Sequence, residues 1–479
     1  MKGKTSIKKS LLIVGIEKFS MILFQFISSI ILARLLSPSD YGTVAMLAIF
    51  IALSSTIVDS GFGGSLVFYK DVTKKDYSTV FWINLLISIC LYLLMYIFAN
   101  TISEFYKTPI LTKLIKILGL TIIFNSLGVV QFTMLYKNLE FKKIAYVSII
   151  TYALSAIIAI ILAYYGFGVW ALISQQVLSS IFKTCILFGL NRFIPKFYFS
   201  FQLLKKHWKY GNGLFFSTLL RTVYDNMYVQ LIGKYCSIVE AGFYNQAKRL
   251  KDIPTNLFSN TFDYSLFPIF SKYKDEEIFT DKYRNINKIL AFVCIPVFFL
   301  ISSLSQQIVY ILLGEKWLGS SLILQWIILG SIFYVFEMVN RSVLKAKGLT
   351  AMLFKIDFVK RSLGILLMFI LVIKFDIKGI VIAYCINSFI GWLANACILS
   401  KNIHYKLNRQ FLDITRYILY ALLPYSLIII LNMFILNAYI SIIASVLIFI
   451  VIYLIEGKIY NEMPYSYLLN LLHKRRKAE

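Results

Sequence analysis

Two almost unbroken apolar runs, KILAFVCIPVFFLISSL (288–304) and LIIILNMFILNAYISIIASVLIFIVIYLI (427–455), constrain this chain more than any other feature. A bilayer core about 30 Å thick takes about 20 apolar residues per crossing helix, and these runs supply them. The remainder of the chain points the same way. Of its 479 residues, 59% are apolar and only 15% charged, whereas soluble chains are about half apolar and a quarter charged. The fold class expected is an all-α polytopic membrane protein.

About fourteen spans of sufficient length follow along the chain, at 10–35, 39–60, 78–99, 110–135, 142–163, 168–190, 208–233, 238–262, 285–304, 319–341, 351–373, 378–400, 413–434 and 437–456. The first, after MKGKTSIKKS, exceeds the roughly 7–15 apolar residues of a secretory signal and lacks a small-x-small cleavage site, so it reads as a retained helix. The second and eighth are weak by hydropathy, and the eighth carries Lys248, Arg249, Lys251 and Asp252. Charge at that depth persists only when it faces protein or a water-filled cavity. Six scattered cysteines without a CxxC pair read as packing residues. His207, His404 and His473 are too dispersed for a metal site.

Lysine and arginine set the orientation. The N-terminus, the even-numbered connections and the HKRRK tail hold about 30 cations; the odd-numbered connections hold 7, namely Arg34, Lys107, Lys113, Lys234, Lys316, Lys374 and Lys378. This positive-inside bias puts both termini in the cytoplasm. It accounts for most of the formal charge of +26, so anionic membrane lipids suffice as its partners and nucleic acid is not required.

The chain also repeats itself. LARLLSPSDYGTVAM from Leu32 matches IGKYCSIVEAGFYNQ from Ile232, pairing Ser37 with Ser237, Asp40 with Glu240 and Gly42 with Gly242. YYGFGVWAL (164–172) parallels KFDIKGIVIAY (374–384), and MLYKNLEFKK (134–143) parallels VLKAKGLTAMLFK (343–355). Two pseudo-symmetric six-helix lobes around a central cavity are therefore expected. The N-terminal lobe is 1–190, the cytoplasmic linker 191–207 and the C-terminal lobe 208–400, with two extra helices and a basic tail in 401–479. Six helices per lobe give both lobes one orientation, and in transporters built so the substrate sits between the repeats near the midplane.

Charges inside the spans are the candidate site residues. Arg221 and Asp225, four residues apart on one helical face, stand in STLLRTVYDNMYVQLIGKY (217–235), the first span of the second lobe. They read either as an ion pair that fixes packing or as part of a cavity for an anionic headgroup. Lys18, Lys248, Arg249 and Lys251 join Arg221 as cavity cations, because a diphosphate needs several cations to replace its hydration. Lys183, Lys355, Lys360 and Arg361 either extend that lining or snorkel to the interface. Glu17, Asp59, Asp225, Asp252 and Glu337 are candidates for ion pairing or for a coupling proton or sodium ion. No organic cofactor and no metal is expected.

DSGFGGSLVFYKDVTKKDYSTVFWINL (59–85), LEFKKIAYVSIITYALSAIIAIILAYYGFGVWALISQQV (139–177), YNQAKRLKDIPTNLFSNTFDYSLFPIFSKYKDE (244–276), GEKWL (314–318) and NRSVLKAKG (340–348) resemble the Wzx-type polysaccharide flippase family. The likeness is to its branch of lipopolysaccharide and teichuronic acid exporters, within the multidrug/oligosaccharidyl-lipid/polysaccharide superfamily. It covers essentially the whole chain. It implies translocation of undecaprenyl-diphosphate-linked oligosaccharide across the bacterial cytoplasmic membrane for O-antigen or related surface polysaccharide, alongside a polymerase machinery. The related peptidoglycan lipid flippases use cavity arginines in helices one and eight. Lys18 and Arg249 occupy those helices here, without a shared motif that would equate positions.

Two other classes compete. A cation-coupled drug exporter would want carboxylates rather than the cation excess seen. A polysaccharide polymerase, ligase or acyltransferase would want a large outer loop, or a histidine beside a carboxylate. No connection exceeds about 20 residues, and His207, followed by WKYGNG, shows no carboxylate pair in the sequence. The expectation is a transporter and not an enzyme.

Overall fold

The computed structural model describes residues 24–59, 61–191, 193–270, 276–403, 405–435, 437–460 and 462–466. Among the described residues there are helices, turns and no strand. Contacts divide the chain into two compact units, the first ending at Gly242 and the second beginning at Phe243.

The first unit holds α1 (Phe24–Leu35), α2 (Pro38–Asp59), α3 (Phe62–Phe68), α4 (Lys74–Phe105), α5 (Ile110–Leu118), α6 (Leu120–Lys137), α7 (Phe141–Tyr164), α8 (Val169–Leu190) and α9 (Phe201–Tyr235). From α10 (Ile238–Phe270), which begins at the end of the first unit, the chain continues through α11 (Glu276–Ser303), α12 (Ser305–Leu313) and α13 (Gly319–Ala346). It closes with α14 (Thr350–Asn402), α15 (Leu407–Phe434) and α16 (Ala438–Ile459). Nine of the described helical segments are long and apolar enough to cross a membrane. They coincide with the second to sixth, ninth, tenth, thirteenth and fourteenth expected spans. The seventh and eighth are the helices α9 and α10, whose charges keep them out of that set. The eleventh and twelfth are the arms of α14, which bends at Phe375 and Asp376. Residues 10–23 of the first span lie outside the described residues.

Local chemistry starts these helices where the sequence breaks its apolar runs. The Thr73 hydroxyl and Asp76 carboxylate cap α4 reciprocally, which satisfies amides that the first turn leaves without partners. Ser37 and Asp40 do the same for α2: Ser37 N donates to Asp40 Oδ2 at 2.9 Å and Asp40 N to Ser37 Oγ at 3.2 Å. At α10, Glu240 N donates to Ser237 Oγ at 3.1 Å and Ser237 Oγ to Glu240 Oε2 at 2.9 Å. The paired sequence positions thus perform the same task.

The other two parallels are visible in the backbone. α6 ends through Asn138 (φ −80°, ψ 3°) and left-handed Leu139 (φ 57°); α13 ends through Lys347 (φ −82°, ψ 2°) and Gly348 (φ 77°). Gly168 (φ 55°, ψ −129°) precedes α8, and Asp376 (φ 50°, ψ −137°) takes the same conformation inside α14. The parallel between YYGFGVWAL and KFDIKGIVIAY is thus carried in the backbone by Gly168 and Asp376.

Each unit buries its own core. In the second, Tyr283, Phe298, Phe336, Trp392 and Tyr417 are fully enclosed, while Ile443, Leu447 and Val451 of α16 stay exposed. In the first, Phe62, Leu66, Val80 and Val130 pack together, while Leu93, Leu94 and Ile97 of α4 face outward. Apolar outer surfaces of this extent suit helices packed in lipid, where close packing rather than water exclusion holds neighbours together.

Candidate functional site

The segment DSGFGGSLV organises the first unit. α2 ends at Asp59, and Gly61 turns the chain with φ 72°. A Cβ on Gly61 would lie 2.6 Å from both Cα and O of Gly211, so glycine here allows the chain to touch α9 backbone to backbone. α3 then follows, and Gly63 N donates to Asp59 Oδ1 at 3.3 Å.

One face of α3, with α2, α6 and α8, encloses an open cleft of about 610 Å³, within the usual size of a ligand site. Ser55, Asp59, Asn125, Thr133, Tyr136 and Lys183 give it polar character. Lys183 stands 5.4 Å from the Phe132 ring centroid, and the side chains of Asp59 and Lys183 are exposed to the cleft. Among the described residues neither has an oppositely charged partner within ion-pair distance. An acid and a base held apart among hydroxyls and an amide form a site for a charged, hydroxyl-bearing ligand.

The structure distributes the sequence-derived candidates. Glu17 and Lys18 lie outside the described residues. Arg221 and Asp225 are on α9, both exposed and one turn apart, and neither lines the Asp59–Lys183 cleft. In the second unit, Lys248 is half-buried and Arg249 exposed on α10. Lys251 is buried, its Nζ 2.7 Å from Asp252 Oδ1 and 3.2 Å from the Tyr384 hydroxyl, which in turn meets Ser331 Oγ at 2.8 Å. Glu337 is engaged by Lys360 at 2.8 and 2.6 Å. Beside it Arg341 forms a bidentate pair with Asp357, and Arg361 stands 3.9 Å from the same carboxylate. Buried charges survive when paired and hydrogen-bonded in this way.

One expectation is corrected. The sequence shows no carboxylate beside a histidine, yet His207 Nε2 lies 3.0 Å from Asp76 Oδ1, and its Nδ1 lies 2.9 Å from Ser65 Oγ. The partners come from α3, α4 and α9, which pack together only in the fold, so no local spacing announces them. His207 and Ser65 are 0% exposed. Burial outweighs the opposing pull of Asp76 and holds the His207 imidazole below the usual histidine value. Among the described residues no cluster of His, Cys, Asp and Glu could hold a metal ion.

Among the described residues the fold is helical and multi-pass, with a mostly apolar cleft that holds Asp59 and Lys183. Residues 31–322 match the family described as polysaccharide biosynthesis protein, and the chain belongs to that family. The succinoglycan biosynthesis transport protein of Rhizobium meliloti is 27% identical over 294 residues, 61% of this chain and 60% of that protein. The teichuronic acid biosynthesis protein of Bacillus subtilis is 25% identical over 405 residues, 84% of each chain. The inward closed structure of the lipid II flippase MurJ superposes with a TM-score of 0.77 at 21% identity, over 94% of this chain and 99% of that one. An outward-facing multidrug resistance MATE family transporter gives a TM-score of 0.50 at 14% identity, over 82% and 96%.

Proposed function

We propose that this protein flips undecaprenyl-diphosphate-linked oligosaccharide repeat units from the inner to the outer leaflet of the bacterial cytoplasmic membrane, supplying surface polysaccharide assembly. The observation that carries the reading is membership of the polysaccharide biosynthesis protein family over more than half of the chain. The fold shared with a lipid II flippase supports it, as does a cleft that sets Asp59 and Lys183 among largely apolar walls. The two lobes, 1–190 and 208–400, alternate access, with both termini cytoplasmic. Sugars and phosphates occupy hydrated space while the polyprenyl tail stays in lipid. That spares the protein a cost of about 0.8 kcal/mol for each methylene moved into water.

Lys183 is the headgroup contact in the cleft, and Arg221 with the α10 cations Lys248, Arg249 and Lys251 adds positive charge along the route. The product passes to a polymerase machinery, and a proton or sodium ion drives the cycle.

The test is made in cells lacking the protein, by extracting polyprenyl-linked oligosaccharides and assigning them to a leaflet. Wild type relieves accumulation on the cytoplasmic face. Lys183→Ala and Arg221→Ala reduce relief by at least about tenfold, the effect of losing roughly 1.4 kcal/mol of charge-assisted binding, while Lys183→Arg and Arg221→Lys keep part of it. Complete units already on the outer face of cells lacking the protein would reject the reading.

A further inference from the structure

We propose that Ser65, His207 and Asp76 form a proton-binding site that ties cytoplasmic pH to the position of α3, and through α3 to the Asp59–Lys183 cleft. The argument rests on hydrogen positions. Asp76 Oδ2 accepts from the Thr73 amide at 2.9 Å and the Thr73 hydroxyl at 2.5 Å. Its Oδ1 faces His207 Nε2 at 3.0 Å and Lys206 Nζ at 3.7 Å. With donors on every side the carboxylate stays ionised and His207 keeps a proton on Nε2. The variable proton therefore sits on Nδ1.

Ser65 has one hydroxyl hydrogen and two acceptors in reach, Nδ1 at 2.9 Å and the Phe62 carbonyl at 2.8 Å. When His207 is neutral, Ser65 donates to Nδ1 and ties α3 to α9. When water delivers a proton to Nδ1, the imidazolium donates to Ser65 Oγ, and the hydroxyl hydrogen turns to Phe62 within α3. Both states are fully hydrogen-bonded, which lets one buried site hold either. The bond between the two helices reverses direction, and a positive charge appears beside Asp76.

Every charged or titratable group around the ring bears on this balance. Asp76 on α4 favours the imidazolium; Lys206 on α9 and Lys137 on α6 oppose it. Tyr69, just beyond α3, packs edge-on at 5.7 Å. Lys137 Nζ also donates to the carbonyls of Leu66 and Tyr69 at 2.8 and 2.6 Å, pinning the far end of α3. Lys206 remains 38% exposed and marks the water-facing rim of an otherwise closed site. A Ser–His–Asp set also suggests a hydrolytic nucleophile, but Ser65 and His207 expose no surface to a substrate. The opposite face of α3 presents Gly63, Gly64 and Val67 to the cleft, so one seven-residue helix is wall to both sites.

The test needs no substrate and so stands apart from the flippase reading. The full chain is prepared in lipid nanodiscs with nitrogen-labelled histidine; with only three histidines in the sequence, substitution assigns the His207 signal. Its Nδ1 resonance is expected to titrate with a midpoint below about 6.5. Asp76→Asn, which keeps an amide oxygen for the α4 cap, is expected to move that midpoint lower. In a chain stripped of its native cysteines, Val67→Cys reports the cleft through its rate of reaction with a maleimide. That rate is expected to change several-fold across the His207 midpoint, and His207→Gln to leave only the pH dependence of the thiol itself. A His207 signal that does not titrate between about pH 5 and 8, or a Val67→Cys profile unchanged by His207→Gln, overturns the proposal.

Discussion

At the scale of single residues, the segment 59–68 shows what a sequence can and cannot disclose. Asp59 is legible in the sequence as an intramembrane charge, whereas GFGG reads only as part of a family resemblance. The partners are not legible: Gly211 meets Gly61 across 150 positions, and His207 meets Asp76 across 131. Arg221 and Asp225 were legible as a shared helical face but carry no sign of what that face meets. Asp376 is a different case, because it holds a left-handed conformation that glycine takes at the matching point, Gly168. Such positions cost about 1–3 kcal/mol when not glycine. Asp376→Gly is expected to raise stability by roughly 1 kcal/mol and Gly168→Ala to lower it by at least as much, read as opposite shifts in the thermal unfolding of the purified protein.

At the scale of elements, hydropathy located the spans well because the demand for about 20 apolar residues is severe. It was weaker where helices carry charge, as in α9 and α10, and where a helix is short, as in α3. Seven residues leave no periodicity to read, and the role of α3 comes from what lies on its two faces. The sequence pairs Ser37 with Ser237 and Asp40 with Glu240 as a repeat, and the fold shows that both pairs cap helices. Asp40→Ala and Glu240→Ala should each cost about 1 kcal/mol, and the pair should be additive within about 0.5 kcal/mol only if the two helix starts behave independently. Unfolding midpoints of the two single variants and the double variant decide this.

At the scale of the whole molecule, the class of protein was open to sequence because it rests on an apolar pattern repeated many times over. The internal cleft was not, since Ser55, Asn125, Thr133 and Lys183 are spread over more than a hundred residues. Orientation rests on cation bias alone and has a direct check. Cysteines introduced at Lys75 and Lys142 in a cysteine-free chain should react with a membrane-impermeant maleimide only after the cells are opened. Cysteines introduced at Lys107 and Lys316 should react in intact spheroplasts. The reverse pattern would invert the assignment of termini.

The left-handed residues that close α6 and open α8 also act as marks on a ruler. Leu139 and Gly168 are 29 positions apart, and Gly348 and Asp376 are 28 apart. Between the first pair lies α7, whose 24 residues extend about 36 Å at 1.5 Å per residue. Each interval therefore carries the chain across one bilayer and has little slack. Lengthening it by a few residues would oblige the helix to tilt or the surrounding lipid to thicken. Bilayer thickness is thus recorded twice in this chain, which predicts that lipids of mismatched acyl length will trouble both halves alike.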